Sequence, residues 1–264
     1  MADPRILDAL ARLVDLMARL RAPGGCPWDR EQTYQTLRRY VLEEAYEVVD
    51  AIDRGRTAEL CEELGDLLLQ VVFQADIAAE AGDFTLAEVA NGIADKLVRR
   101  HPHVFADASV RDADEVMQNW RRIKAEERAA KGADTSVLAG VPTALPALLR
   151  AQEIGSKAAH TGFDWPDLPS VVAKLDEEQR ELAAAVDARD RDAAARELGD
   201  VLLTATSVAR HLGISAEDAL REATMRFEAR LRTVEAAARE RGTALVDLGP
   251  AELDRLWQQA KRAV

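Results

Sequence analysis

Apolar residues recur three and four positions apart through most of the chain, the spacing that gives a helix one apolar face. Ile6, Leu7, Leu10, Leu13, Val14 and Met17 predict a first amphipathic helix over residues 4–20. Arg21-Ala22-Pro23-Gly24-Gly25-Cys26-Pro27-Trp28 then reads as a loop, punctuated by glycine and proline. Asp29 or Thr33 is the candidate cap of the next helix, which runs to about Asp53. A tight break at Arg54-Gly55-Arg56-Thr57, with Thr57 as the expected N-cap, precedes a helix over 58–81 that Gly82 ends. Thr85 caps a helix over 86–100, which Pro102 stops. Residues 112–130 form a charged helix, read as solvated or intersubunit. Residues 131–144, loosened by Gly132, Gly140 and Pro142, are the expected linker between a first helical repeat, 1–130, and a second, 145–264. In the second repeat the pattern predicts helices at 145–160, 168–189, 191–211, 216–240 and 250–262. Strand formers are not arranged in alternating runs, so the expected class is all-α, built as tandem helical bundles.

One stretch is used twice. Glu44 and Glu47, a spacer, then Glu63 and Asp66 within Glu-Leu-Gly-Asp become Glu178, Glu181, Glu197 and Asp200 on adding the same 134 to each number. Residues three apart on a helix share a face, so each pair sets two carboxylates side by side. Like charges at that spacing cost an isolated helix roughly 0.2–0.5 kcal/mol per pair. A short turn between the two helices makes them antiparallel neighbours and closes four carboxylates around one small volume. Val41, Ala45, Val48 and Ile52 form an apolar stripe that Glu44 borders. Leu64, Leu67, Leu68, Leu69, Val71, Val72 and Phe73 cover nearly every side of the helix carrying Asp66, as in a helix buried all round. A carboxylate there needs a partner, because an unpaired buried charge is too costly. Hard oxygen ligands without local Cys or His suit Mg²⁺, with Mn²⁺ an alternative, and not zinc. Solvated glutamate faces are the bland alternative; the recurrence of the whole set argues against it. The helix after each hairpin carries cations four apart, Lys96/Arg100 and Arg226/Arg230, placed to meet whatever the metal holds. Either pair alone would read as ordinary surface charge.

Composition narrows the partners. The net charge of −12 over 264 residues argues against nucleic acid, whose phosphate backbone demands a basic surface. A phosphate-bearing substrate stays open if a metal supplies local positive charge. Two cysteines, Cys26 and Cys61, make neither a disulfide framework nor a zinc spacing and fit a reducing cytoplasm. No apolar stretch reaches the ~18 residues of a membrane span, so no membrane partner is expected. The N-terminus has no signal-peptide pattern. Trp28, Trp165 and Trp257 read as core or lid residues, with base stacking the alternative for Trp257. His101 and His103 read as local hydrogen-bonding groups.

The acidic sets with Glu-Leu-Gly-Asp, the loop Cys26-Pro27-Trp28-Asp29 and the run from Asp95 to Phe105 together resemble the MazG family, over nearly the whole chain and both repeats. The resemblance implies an all-α nucleoside triphosphate pyrophosphohydrolase. Such an enzyme is Mg²⁺-dependent and homodimeric, and it cleaves between the α and β phosphates to give a monophosphate and diphosphate. It tolerates many bases, as a house-cleaning enzyme would. It also implies that the second repeat is catalytic, with Glu178, Glu181, Glu197 and Asp200 as metal ligands and Lys174, Arg226, Arg230 and Trp257 toward nucleotide. Arg226 and Ala193 stand where that family carries lysines; Arg196 is the candidate substitute for the second. The first repeat keeps all four of its ligands. Glu177, or Glu43 in the first copy, is the candidate for orienting a ligand or taking the proton of the attacking water.

Two rivals are distinguishable. A di-iron carboxylate bundle needs Glu-x-x-His, but Val98, Arg100, Lys157 and Val208 stand three before the four histidines. A non-catalytic bundle that binds nucleotide or a protein partner predicts binding without product.

Overall fold

A computed structural model describes residues 3–106, 109–130 and 136–263, and every regular element among them is helical. The chain divides into two compact units, Met1–Glu127 and Arg128–Val264. Residues 131–135 of the expected linker lie outside the described residues. No described helix is long and apolar enough to cross a membrane.

In the first unit α1 (Pro4–Arg21), α3 (Tyr34–Asp53), α4 (Thr57–Ala81) and α5 (Leu86–Arg100) are the main helices. The expected loop ends in a short helix, α2 (Pro27–Glu31), with Pro27 in its first turn, where a missing N–H is harmless. Thr33 caps α3 and Thr85 caps α5, each in a capping box with the residue three further on. Thr57 does not cap α4. Gly55, at φ 65°, ends the preceding helix, Arg56 becomes the cap residue, and Arg56 binds Glu59 at 2.6 Å instead of capping the backbone. Helix α3 packs along α4, and α1 packs across α4. Met17, Leu37, Val72 and Phe73 form the core there. A short α6 (Pro102–Phe105) and the charged α7 (Ala113–Ala130) follow.

The second unit repeats the hairpin. Helix α8 (Ala147–Ala159) packs on α10 (Arg191–Leu212), which pairs along α9 (Leu168–Asp187). Helix α11 (Ala216–Glu240) pairs with α12 (Pro250–Ala263), joined through a turn of 3-10 helix at Leu245–Asp247. Asp167 caps α9 at the position 134 beyond Thr33, and Asp190 caps α10. Buried positions repeat with the same offset: Leu37 and Val171, Ala51 and Ala185, Val72 and Thr206, Ala75 and Ala209. The turn also repeats, because Arg189, the equivalent of Gly55, is held at φ 57°.

The buried stripe of α3 differs from the expected one. Leu37 and Ala51 are fully covered while Ile52 is 56% exposed, so the stripe runs 37, 41, 44, 48, 51 and Glu44 lies in its centre. On α9 the equivalent stripe, 171, 175, 178, 182, 185, has Glu178 at its centre. Helix α4 is not covered all round either. Its Leu64, Leu68 and Val71 stay exposed on one face, as do Leu198 and Leu202 on α10, because the helices packed on each leave that side of the cylinder open.

Each unit braces its hairpin with a charge network, through α1 in the first unit and through the loop before α9 in the second, and the two networks differ in sign. In the first, Arg21 of α1 binds both Glu80 oxygens, at 2.5 and 3.1 Å, and the Asp29 carbonyl at 2.5 Å. It stands 3.4 Å from Asp76 and lies over the Phe73 ring. In the second, the position of Asp76 is taken by Arg210, whose guanidinium clasps Asp164 in the loop before α9. The position 134 beyond Arg21 is Gly155, whose added Cβ would meet Arg210 at 3.8 Å.

Candidate active site

The two clusters arise from helix periodicity. Glu44 and Glu178 project from the central line of the buried stripes just described. The facing helices add Glu63 and Asp66 from α4, and Glu197 and Asp200 from α10, each pair one turn apart. One carboxylate oxygen from each of Glu44, Glu63 and Asp66 lies within 4.8 Å of the other two, and the same holds for Glu178, Glu197 and Asp200. Glu47 and Glu181 stand outside these triads but beside them, each within the field of its cluster.

The electrostatics differ between repeats. Burial pushes Glu44 up to about 6, helped by a hydrogen bond shared with Glu47 and by the charges of Asp66, Glu47 and Glu63. Burial and the charges of Glu47, Glu62 and Asp66 raise Glu63 as well. In the second repeat Glu181 is raised by burial and by Glu178, against an opposing pull from Lys174. Lys174 donates to Glu177 at 2.6 Å and pairs with the buried Glu178 at 2.7 Å. These bonds hold Glu177 below the usual carboxylate range and raise the lysine above its own.

Three carboxylate oxygens converging from two helices, with net negative charge and no thiol or imidazole, match the donor set of a hard divalent cation. The residues present therefore fit Mg²⁺ or Mn²⁺ at either cluster.

The cations read from the sequence are placed less uniformly. Lys174 joins the second cluster directly. Arg100 is committed elsewhere: Glu127 of α7 grips it at 2.5 and 3.1 Å, and its guanidinium lies 5.0 Å from the Trp120 ring. Lys96 is exposed on α5. Arg226 pairs with Glu222 at 3.5 Å, and Arg230 keeps a buried Nε with no hydrogen-bond partner among the described residues. Arg196 is exposed on α10, one residue before Glu197. Trp257 belongs to the α11–α12 pair, its ring 5.3 Å from that of Phe227, and walls a cavity of about 310 Å³ with Leu231, Val234 and Asp254. The apolar spacing of Phe227, Leu231 and Val234 is the sequence signal for that cavity. The Lys174–Glu178 pair had a signal too, since the two residues are four apart.

The MazG nucleotide pyrophosphohydrolase domain matches residues 32–105 and 168–234, which hold the two clusters. The chain is 46% identical over 261 residues to the nucleoside triphosphate pyrophosphohydrolase of Escherichia coli K12, covering 97% of this chain and 98% of that one. It is 41% identical over 249 residues to the nucleoside triphosphate pyrophosphohydrolase/pyrophosphatase MazG of Thermotoga maritima, covering 94% of each. A Mycobacterium tuberculosis nucleoside triphosphate pyrophosphohydrolase is 39% identical over 219 residues, covering 80% of this chain and 64% of that one. With two matched domains, each centred on a carboxylate triad, the chain belongs to the MazG nucleotide pyrophosphohydrolase family.

Proposed function

We propose that the chain hydrolyses nucleoside triphosphates to the monophosphate and diphosphate, with broad base tolerance, as a divalent-dependent homodimer in the cytoplasm. The observation that carries this reading is the pair of carboxylate triads inside the two matched segments. Glu178, Glu197 and Asp200, with Glu181 beside them, would hold Mg²⁺ or Mn²⁺; Glu44, Glu63, Asp66 and Glu47 offer the same set in the first repeat. When bound, such an ion neutralises triphosphate charge and polarises the phosphorus under attack.

The second repeat is the better equipped for turnover. Lys174 sits at its cluster, whereas the equivalent position in the first repeat is Tyr40, and Arg100, the first repeat's counterpart of Arg230, is already neutralised by Glu127. Arg196, Arg226 and Arg230 supply positive charge for the departing diphosphate. The cavity walled by Trp257 has an apolar lining with one carboxylate, Asp254, and suits a base held by stacking and little else, which favours breadth over selectivity. A water attacks the α-phosphorus in line with the departing diphosphate, and a carboxylate accepts its proton. Glu177, positioned by the Lys174 ammonium at 2.6 Å, is the candidate for that task. The uncovered Leu64, Leu68 and Val71, with Leu198 and Leu202, support a second copy as their cover.

The test is product analysis on a mixed nucleoside triphosphate panel, with and without Mg²⁺, for the parent, Glu44→Ala and Glu178→Ala. Monophosphate plus diphosphate, lost only in Glu178→Ala, is the expected result. Orthophosphate as the product, or no product with nucleotide still bound, would replace the proposal with a binding bundle.

A further inference from the structure

We propose that Lys174 is the resident counter-cation of the second cluster, occupying Glu178 until a divalent ion displaces it, and that the first cluster has no such placeholder. The inference rests on reading the clusters as divalent-ion sites.

Glu178 is only 6% exposed, and an unpartnered carboxylate so placed is costly. Lys174, one turn earlier on α9, reaches it at 2.7 Å and Glu177 at 2.6 Å, so a single ammonium bridges two carboxylates at the edge of the triad. The position 134 residues earlier is Tyr40, which cannot take that part. Its ring packs on the first core and meets Trp28 edge-on at 5.9 Å, and its hydroxyl accepts from Arg39 at 2.5 Å. Among the described residues no cation pairs with Glu44, Glu47, Glu63 or Asp66. Two clusters with the same carboxylates are thus completed differently, one with an internal cation and one without.

A lysine in the second cluster opposes a divalent ion twice. Its bond to Glu178 must be given up, and its charge then repels the newcomer. For a divalent and a univalent charge about 5 Å apart in a water-like medium, repulsion alone lowers affinity roughly tenfold. The displaced ammonium stays tethered by its four-carbon stem, within reach of any phosphate brought to the site. Phosphate that captures the ammonium removes the opposition, so ion and phosphate bind the second cluster cooperatively, each raising the other's affinity by the same factor. The first cluster, lacking the lysine, takes its ion without that coupling.

Binding of Mn²⁺ alone, followed by electron paramagnetic resonance on the full chain without nucleotide, tests this directly. The second cluster is isolated by Glu44→Ala with Glu63→Ala, and the first by Glu178→Ala with Glu197→Ala. Lys174→Met in the former background should tighten Mn²⁺ binding about tenfold, while Lys174→Arg keeps the weaker affinity. Added inorganic pyrophosphate should tighten Mn²⁺ binding at the second cluster more when position 174 is basic than when it is methionine. Affinities within twofold for Lys and Met at that position would overturn the placeholder and leave the divalent-site reading standing. Natively folded second-cluster protein that takes up no Mn²⁺ with either residue would overturn both.

Discussion

Replacing Glu44 with Gln should stabilise the metal-free first unit at neutral pH, although it removes a buried group. An ordinary glutamate titrates near 4.5, and Glu44 is pushed up to about 6 by burial and its acidic neighbours. The folded chain therefore holds that proton more tightly than the unfolded chain does. With a raised carboxylate, stability is greatest in acid, falls as pH rises from 4.5 through 6, and levels above that. At 1.36 kcal/mol for each factor of ten in proton affinity, the full difference is about 2 kcal/mol. Water reaches this half-buried site, which lowers the working figure to about 1 kcal/mol. Glu63 acts in the same direction and is partly relieved by the same substitution. The assay is hydrogen exchange of slow α3 and α4 amides in EDTA, corrected for intrinsic rates, from pH 5 to 7.5. Glu44→Gln should remove most of the downward slope and exchange about fivefold more slowly than the parent at pH 7.5. Adding Mg²⁺ should slow exchange in the parent and leave the variant nearly unchanged. A variant that exchanges faster than the parent at pH 7.5 in EDTA, or that keeps the parental slope, would refute the reasoning.

Three further outcomes follow from local geometry. Arg189 holds φ 57° in a turn where the first repeat uses glycine, so Arg189→Gly should raise the second unit's stability by about 1 kcal/mol in urea unfolding. At Gly25 an added Cβ would lie 2.2 Å from the Leu20 carbonyl oxygen, against a backbone already fixed by the Cys26 N–H bond to that oxygen at 2.8 Å. Gly25→Ala should cost the first unit about 2–4 kcal/mol, seen as an earlier urea midpoint. Glu127 is lowered to about 2 by Arg100 and Arg99, so its contribution is present above about 4.5 and disappears as pH falls toward 2. Glu127→Gln should cost about 1 kcal/mol at pH 7, with the difference from the parent closing across that acid window in paired urea titrations.

What the sequence disclosed was local. The capping boxes at Thr33 and Thr85, and the left-handed Gly82 and Gly213, depend on residues within one turn of the helix end. The triads could be read because two local facts, spacing of three and a constant offset of 134, left one way to fold each hairpin. Long-range partners stayed hidden. Arg100 had the same spacing as Arg230, yet a glutamate 27 residues on had claimed it. Glu44 was placed at the rim of a stripe whose axis is set by α4, which the sequence of α3 does not contain. Thr57 had the right chemistry for a cap, but Gly55 moved the helix start by one residue.

The reversed charges of the two hairpin braces bear on how a duplicated chain avoids folding into itself wrongly. Halves related by duplication offer each helix two similar grooves while the chain is being made. Seating α1 on α10 would set Arg21 beside Arg210, and seating α8 on α4 would set Gly155 where Arg21 answers Asp76 and Glu80. Both mispairings bury like or unanswered charge, a penalty the correct pairings escape. Refolding of a chain carrying Arg210→Asp with Asp164→Arg, followed by size and by protease resistance, should yield more mispaired product than the parent. The inversion acts as a polarity key: each half carries a lock that the other half's helix cannot turn.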